Sequence, residues 1–139
     1  MTGYIDPERD QFEAFKILPR DQPILMLNFL RFREKAAYPD GREATGAEAY
    51  AAYGRDSAPI FRRVGGEIVW RAQPELMLIG PPDKQWDLIF VARYPSAGAF
   101  LEMVTDPDYR EAVKHRQAAV ADSRLIRMSE APEGEGFGG

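Results

Sequence analysis

The chain has 139 residues, of which 45% are hydrophobic, and this is enough apolar material for one domain with a continuous core. It contains no cysteine, which excludes disulfides, thiol nucleophiles, iron–sulfur clusters and the common structural zinc sites. The formal net charge of −4 disfavours nucleic acid as a partner. No apolar run is long enough to cross a bilayer and no leader-like segment begins the chain, so we expect a cytoplasmic protein with no membrane partner.

The first part of the chain predicts a helix and then a buried strand. Asp6-Pro7 has the pattern of a helix start, an acidic N-cap followed by proline, and the helix should end near Leu18. Residues 24–30 are almost entirely apolar, which is typical of a central strand that is covered on both faces. We therefore assign residues 1–22 to an N-terminal helical extension packed outside the main domain.

A charged segment and a long helix follow. Residues 33–44 carry the turn signal Pro39-Asp40-Gly41 and predict a loop long enough to act as a lid. Thr45 and Glu48 have the spacing of a capping box, which predicts the start of a helix that continues to Val64.

The second half of the chain reads as strands and two more helices. One strand is predicted over residues 67–72 and 76–79, interrupted at Gln73-Pro74 by a bulge or edge kink, and two more over residues 86–94 and 124–128. Ser96 and Asp106-Pro107 are typical helix starts, and the second of these helices should reach about Asp122. Residues 131–139 are glycine-rich and acidic, which predicts a flexible tail.

The order of these elements predicts an α+β fold of the ferredoxin-like kind. Residues 23–130 give the order βαββαβ, hence a four-stranded antiparallel sheet with two main helices on one face. Because the strands are apolar on both sides, the face without helices needs a cover. We expect a second copy of the chain to supply it, which makes the protein a homodimer.

A series of residues in this order resembles the "domain of unknown function 1330" family. The resemblance spans residues 23–129 and implies a dimeric α/β barrel, in a superfamily that includes cofactor-independent monooxygenases, dismutase-like haem proteins and small-molecule-binding proteins. By this resemblance the recurring arginines and tyrosine of the family correspond to Arg71, Arg116 and Tyr109. The series consists of Gly65-Gly66, Arg71, Trp86-Asp87, Tyr94-Pro95-Ser96, Asp106-Pro107-Asp108-Tyr109 and Arg116.

Two polar residues are candidates for chemistry. His115 is the only histidine, and its ordinary pKa suits proton transfer near neutral pH, although an ion pair with Glu111 one turn earlier is the structural alternative. Asn28 is the one strongly polar residue in the first strand. Its amide is either satisfied by neighbouring backbone or aimed at a ligand carbonyl or a bound oxygen species.

Arg116 lies near the centre of an apolar helical stripe. A guanidinium in that position reaches water, pairs internally with a carboxylate such as Asp87, or anchors a ligand carboxylate or enolate. The stripe consists of Tyr109, Ala112, Val113, Ala119 and Val120.

Aromatic residues predict a cleft between the helices and the sheet. Tyr50, Tyr53 and Tyr109 should share this cleft with Asn28. Trp86, like Trp70, is interpreted as a core or dimer-face aromatic first and as a pocket wall second.

Two functions remain open on this evidence. The first is a cofactor-independent, monooxygenase-like enzyme acting on a small aromatic or carbonyl metabolite, with His115, Asn28 and Arg116 as catalytic residues. The second is a non-catalytic binding protein for a small acid or a hydrophobic metabolite. In either case we expect a small-molecule ligand, no cofactor and no metal, with the ligand held by Arg71, Tyr50, Tyr53, Tyr109 and Trp86.

Overall fold

Helices and strands follow one another in the order predicted for a split βαβ pair. The computed structural model describes residues 3–138. Four strands form one antiparallel sheet in the order β2-β3-β1-β4 and the fold is ferredoxin-like, as predicted. The elements are α1 (Arg9–Ile17), β1 (Ile24–Phe32), α2 (Gly46–Arg63), β2 (Glu67–Ala72), β3 (Leu88–Tyr94), α3 (Ala97–Thr105), α4 (Pro107–Ala119) and β4 (Val120–Met128).

Strand β1 lies in the middle of the sheet, and its alternation decides which residues face the helices. Ile24, Met26 and Leu30 are buried beneath the helix layer. Because successive side chains point to opposite faces, Asn28 lies on the same helix-bearing face. It pairs in register with Phe90 of β3 and Leu125 of β4.

Side-chain caps begin three of the helices where the sequence predicts them. The Thr45 hydroxyl accepts from the Glu48 backbone and the Glu48 carboxylate accepts from the Thr45 backbone, so the capping box is confirmed. Ser96 accepts from the Ala99 backbone at the start of α3, and Asp106 accepts from the backbone at the start of α4. These caps satisfy amide groups that a helix start leaves without partners.

Two predicted boundaries are wrong. Helix α1 begins at Arg9, not at Pro7, and the Asp6 carboxylate accepts a hydrogen bond from Gln117 instead of capping the helix. Strand β4 begins at Val120, where α4 ends, because residues 120–123 pair with β1. Tertiary pairing thus overrides the helical pattern that extends to Asp122.

Residues 76–79 are not a strand, contrary to the prediction. Leu76, Leu78 and Ile79 have exposed fractions of 81%, 84% and 89%. Pro74 lacks a backbone N–H, and the pairing of β2 with β3 ends at Ala72. Residues 131–138 form no helix or strand, and Gly139, also part of the predicted tail, lies outside the described residues.

The segment 33–44 is joined to the end of α4 by backbone hydrogen bonds, and its Tyr38 contacts His115 of that helix. The Arg33 and Ala37 amides donate to the carbonyls of Ala119 and Ala118. Ala36 is buried in a small core with Leu30 and Val120. The loop is therefore tied down at several points along its length.

The face of the sheet opposite the helices is apolar and uncovered in the single chain. Alternation places Leu27 and Phe29 of β1 there, beside Trp70 and Ile126 on the outer strands. Trp70 is 48% exposed and Ile126 is 47% exposed. Among residues 3–138, no helix is long and apolar enough to span a bilayer.

Candidate functional site

A large cavity lies between the helix layer and the sheet. Its volume is about 1720 Å³, and α1, α2, α4 and all four strands contribute to its walls. Six of the residues proposed from the sequence line this one space, namely Asn28, Tyr50, Tyr53, Arg71, Tyr109 and Arg116. The chain therefore brings together polar groups from β1, α2, β2 and α4.

Three tyrosines form one side of the cavity. Tyr50 and Tyr53 are three positions apart on α2 and share a face, with ring centroids 5.3 Å apart. The hydroxyl of Tyr53 lies 2.7 Å from the hydroxyl of Tyr109 on α4. Burial raises the pKa of all three phenols above the ordinary value of 10.0. They are neutral at physiological pH and can donate hydrogen bonds to an oxygen in the cavity.

Arg116 lies beside these tyrosines without a carboxylate partner among residues 3–138. Its guanidinium donates to the Ile5 carbonyl and, over 3.3 Å, to the Ser123 hydroxyl. The predicted internal ion pair between Arg116 and Asp87 does not form, because the Asp87 carboxylate instead accepts a hydrogen bond from the Phe32 amide at 2.8 Å. The Arg116 guanidinium thus donates hydrogen bonds only to neutral acceptors.

Arg71 approaches the same tyrosines from the edge strand β2. It stands in register with Phe90, which in turn stands in register with Asn28, so the three residues form one cross-strand row. Burial raises the pKa of Tyr50, and the positive charges of Arg116 and Arg71 act against that rise. Arg71 is exposed and lines the cavity, and it has no hydrogen bond to the described residues.

The side-chain amide of Asn28 forms one hydrogen bond, to backbone of its own strand. Its Nδ2 donates to the Met26 carbonyl at 3.0 Å, while its Oδ1 has no partner within residues 3–138. The amide is thus held in place by backbone and still presents a polar group to the cavity. The Asn28 amide is thus partly satisfied by backbone, as in the first interpretation, and has one polar atom free for a ligand, as in the second.

The other end of the cavity is aromatic and apolar. Tyr94 lies four residues along β3 from Phe90, which is about 13 Å at the usual rise of a strand. Ring contacts connect Tyr94 to Phe61 of α2 and to Phe100 of α3, at 5.6 and 5.2 Å. Phe100 in turn contacts Phe15 of α1 at 5.2 Å. We call the end with Arg71 and Arg116 the cationic end and the end with these rings the apolar end, where the Arg127 guanidinium lies over the Phe15 ring at 4.8 Å.

His115 does not line the cavity that holds the other predicted site residues. Its Nδ1 is 2.6 Å from the Tyr38 hydroxyl and its Nε2 is 3.2 Å from the Asp56 carboxylate. The expected partner Glu111 pairs with Lys114 instead. One residue along a helix is a rotation of about 100°, so His115 points away from the direction of Arg116.

Trp86 also lies away from the cavity. Its ring contacts Phe29 at 5.5 Å and lies beneath the Arg124 guanidinium at 5.3 Å. Phe29 is on the uncovered face of the sheet, so Trp86 belongs to that face. This position fits the first interpretation of Trp86, a dimer-face aromatic, and neither Trp86 nor any residue of the segment 33–44, the predicted lid, lines the cavity.

The sequence interpretation missed the contribution of the N-terminal segment. Ile5, Phe12 and Phe15 line the cavity, although the first helix was expected to pack outside the main domain. The spacing of Phe12 and Phe15 was the available signal, because two aromatics three positions apart form an apolar helix face that requires a cover.

Comparison with known proteins identifies close and distant relatives. Residues 42–129 match the family described as "Domain of unknown function (DUF1330)". Two crystal structures are of the RPA0582 protein, described as a protein of unknown function from Rhodopseudomonas palustris. The methylated form is 62% identical, with coverage of 97% of this chain and 100% of that chain and a TM-score of 0.94. The other is 61% identical, with coverage of 95% and 100% and a TM-score of 0.91.

A distant relative shares the fold alone. SnoaB, a cofactor-independent oxygenase from Streptomyces nogalater, is 16% identical, with coverage of 81% of this chain and 96% of that chain and a TM-score of 0.52. No curated protein matches this chain.

Proposed function

The chain belongs to the DUF1330 family, and from that premise we propose that its cavity binds a small organic anion with an apolar body. The observation that carries this proposal is the charge of the cavity wall, which is opposite to that of the whole chain. The chain has a formal net charge of −4. The cavity is nevertheless lined by six arginines on its own side of the sheet and only two acids, the arginines being Arg9, Arg62, Arg71, Arg110, Arg116 and Arg127 and the acids Asp6 and Glu67.

Arg116 supplies the strongest argument for an anionic ligand. A guanidinium cannot lose its charge at physiological pH, and Arg116 is half-buried, so its charge is only partly solvated and favours an acceptor. Its present partners, a carbonyl and a hydroxyl, are neutral. A carboxylate or enolate would form stronger, charge-assisted hydrogen bonds with the same fork of donors.

The tyrosines and Asn28 complete a site for the head of such a ligand. Because the phenols of Tyr50, Tyr53 and Tyr109 are neutral, none adds a negative charge. Tyr50 and the accepting member of the Tyr53–Tyr109 pair each have a proton to donate to a ligand. The rings beyond them, up to Phe100, offer an apolar wall for the body of the ligand.

Cofactor-independent catalysis is a second candidate function. The hydroxyl pair Tyr53 and Tyr109 favours it, since a neutral phenol next to Arg116 is placed to give a proton to a developing enolate. The same raised pKa makes these phenols weaker acids and leaves almost no phenolate to act as a base near neutral pH, and His115 does not line the cavity. Binding without turnover is therefore the function that the geometry supports better.

We also propose that a second copy covers the uncovered face of the sheet. Leu27, Phe29, Trp70 and Ile126 form an apolar surface on that face, and a face that meets its own copy across a twofold axis is self-complementary. This homodimer leaves the cavity, on the opposite side of each sheet, free for ligand.

Calorimetric titration with 2-naphthoate, an aromatic carboxylate, tests the binding proposal. We expect the wild type to bind it, and Arg116→Gln to bind it about tenfold more weakly or worse, because a charge-assisted hydrogen bond is lost. Arg55→Gln is the matched control, because Arg55 is exposed and outside the cavity. Equal affinity for the neutral analogue 2-naphthalenemethanol would contradict selection for an anion.

A further inference from the structure

The N-terminal segment lies along the cavity and contacts both of its ends. At the cationic end, Arg116 donates to the Ile5 carbonyl and the Ser123 hydroxyl donates to the Tyr4 carbonyl at 2.6 Å. At the apolar end, the Phe15 ring contacts Phe100 at 5.2 Å. A ligand with its anionic head at Arg116 therefore has its body directed along this segment, towards Phe15.

Phe15 is held firmly where such a ligand would end. The Arg127 guanidinium lies over the Phe15 ring at 4.8 Å and donates to the carbonyls of Phe15 and Pro19, at 3.3 and 2.6 Å. A cation at the carboxyl end of a helix satisfies carbonyls that have no partner within the helix. The ring is thus fixed by a stacked cation on one side and by Phe100 on the other.

The wall that Phe15 forms packs against the edge of the main core. No residue of α1 is fully buried, and Phe15 is a partly buried side chain against the cluster that contains Met26, Tyr94 and Met103. Replacing Phe15 therefore removes a contact at the edge of the core but none within the buried cluster itself.

We propose that Phe15 is the specificity-determining residue of the cavity and limits the length of an elongated, amphipathic carboxylic acid whose carboxylate is held at Arg116. This inference rests on the proposed function and names its ligand class. The distance between the cationic row of Asn28 and the apolar row of Ile24, four residues along β1, is about 13 Å. The preferred acid is therefore extended and has one polar end.

A chain-length series of n-alkanoates, from hexanoate to hexadecanoate, tests this limit by titration calorimetry. In the wild type, affinity should rise with length and then stop rising where the chain reaches Phe15. In Phe15→Ala the limit should move to longer acids, with a gain of about fourfold in affinity for each further methylene that is buried. In Phe15→Trp it should move to shorter ones.

Ile17→Ala is the matched control. Ile17 is on the same helix, is 84% exposed and does not line the cavity, so the length limit should stay at its wild-type value. Phe15→Trp keeps the inference falsifiable should Phe15→Ala fail to fold, since it removes no ring contact. An unchanged limit in both Phe15 variants would overturn it. If the wild type binds 2-naphthoate and no alkanoate, the inference fails alone; if it binds neither, the proposed function fails as well.

Discussion

The hydroxyl of Tyr53 lies 2.7 Å from the hydroxyl of Tyr109, although the two residues are separated by 56 positions in the chain. This contact joins α2 to α4 at the wall of the cavity. One hydroxyl donates and the other accepts, so each partly satisfies a polar group that burial would otherwise leave unpaired.

Removing one of these hydroxyls should therefore destabilise the fold. We expect Tyr53→Phe and Tyr109→Phe each to lower the free energy of unfolding by about 1 kcal/mol, measured by urea denaturation. The double variant should cost less than the sum, because the two groups share one hydrogen bond. Additive losses would show that the hydroxyls act independently.

The buried tyrosines should also make the fold sensitive to alkali. Burial raises the pKa of Tyr50, Tyr53 and Tyr109, so above pH 10.0, the ordinary value, the unfolded chain releases protons that the folded chain retains. Stability is therefore complete below that pH and falls as the pH rises, by about 1.4 kcal/mol per pH unit for each such phenol. Urea denaturation between pH 9 and about pH 12 measures the slope. In Tyr53→Phe the free energy of unfolding should fall less steeply with pH than in the wild type. Equal slopes in the two proteins would show that the buried Tyr53 phenol does not cause the alkali sensitivity.

Arg116→Lys separates the charge of Arg116 from its fork of donors. The lysine keeps the charge but cannot reach two acceptors in one plane. Because the Ile5 and Ser123 contacts are lost in part, we expect a stability loss of about 1 kcal/mol. The affinity for 2-naphthoate should fall by more than that, about tenfold or beyond. A variant that melts much earlier but binds with unchanged affinity would show that Arg116 is structural only.

Ligand affinity should be independent of pH near neutrality. Arginine and the buried phenols do not change protonation between about pH 6 and pH 8, and His115, the only histidine of the chain, contacts Tyr38 and Asp56 outside the cavity. We therefore expect equal affinity for 2-naphthoate across this range, in the wild type and in His115→Gln alike. An affinity that follows one titrating group near neutrality would favour the catalytic function instead.

The uncovered face of the sheet should control the oligomeric state. Ile126→Arg places a charge among apolar residues that we expect a second copy to cover, so self-association should weaken at least tenfold in light scattering or sedimentation. Arg55→Gln, on the opposite layer, should leave the dimer unchanged. A wild type that is monomeric at micromolar concentration would refute the dimer.

Much of the fold was predictable because it depends on local signals. The capping box of Thr45 and Glu48, the caps Ser96 and Asp106 and the apolar run of β1 each act over a few residues, and each is where the sequence predicts it. Boundaries that depend on pairing between distant strands were less accurate. Residues 120–123 have a helical pattern but pair with β1, and residues 76–79 have a strand pattern but no partner among the described residues.

The candidate site was also predictable from the sequence only where it depends on local spacing. Helical spacing alone places Tyr50 with Tyr53, and Tyr109 with Arg116, on common faces, because residues three, four or seven apart are neighbours on a helix. Spacing within one element does not predict which residues of other elements a side chain contacts. It therefore left open that Arg116 would bind the Ile5 carbonyl, that His115 would bind Asp56, and that α1 would close the cavity.

The sequence by itself determined the element order, the helix caps and the residue types available for chemistry, since these follow from the chain's own periodicity and composition. Only the tertiary structure decided that the arginines surround a cavity in an acidic chain and that Phe15 stands at its apolar end. The physical reason is that charge and burial are properties of a location in space. Residues such as Arg71 and Arg116, far apart in sequence, acquire a common environment only after the sheet and the helices have packed together.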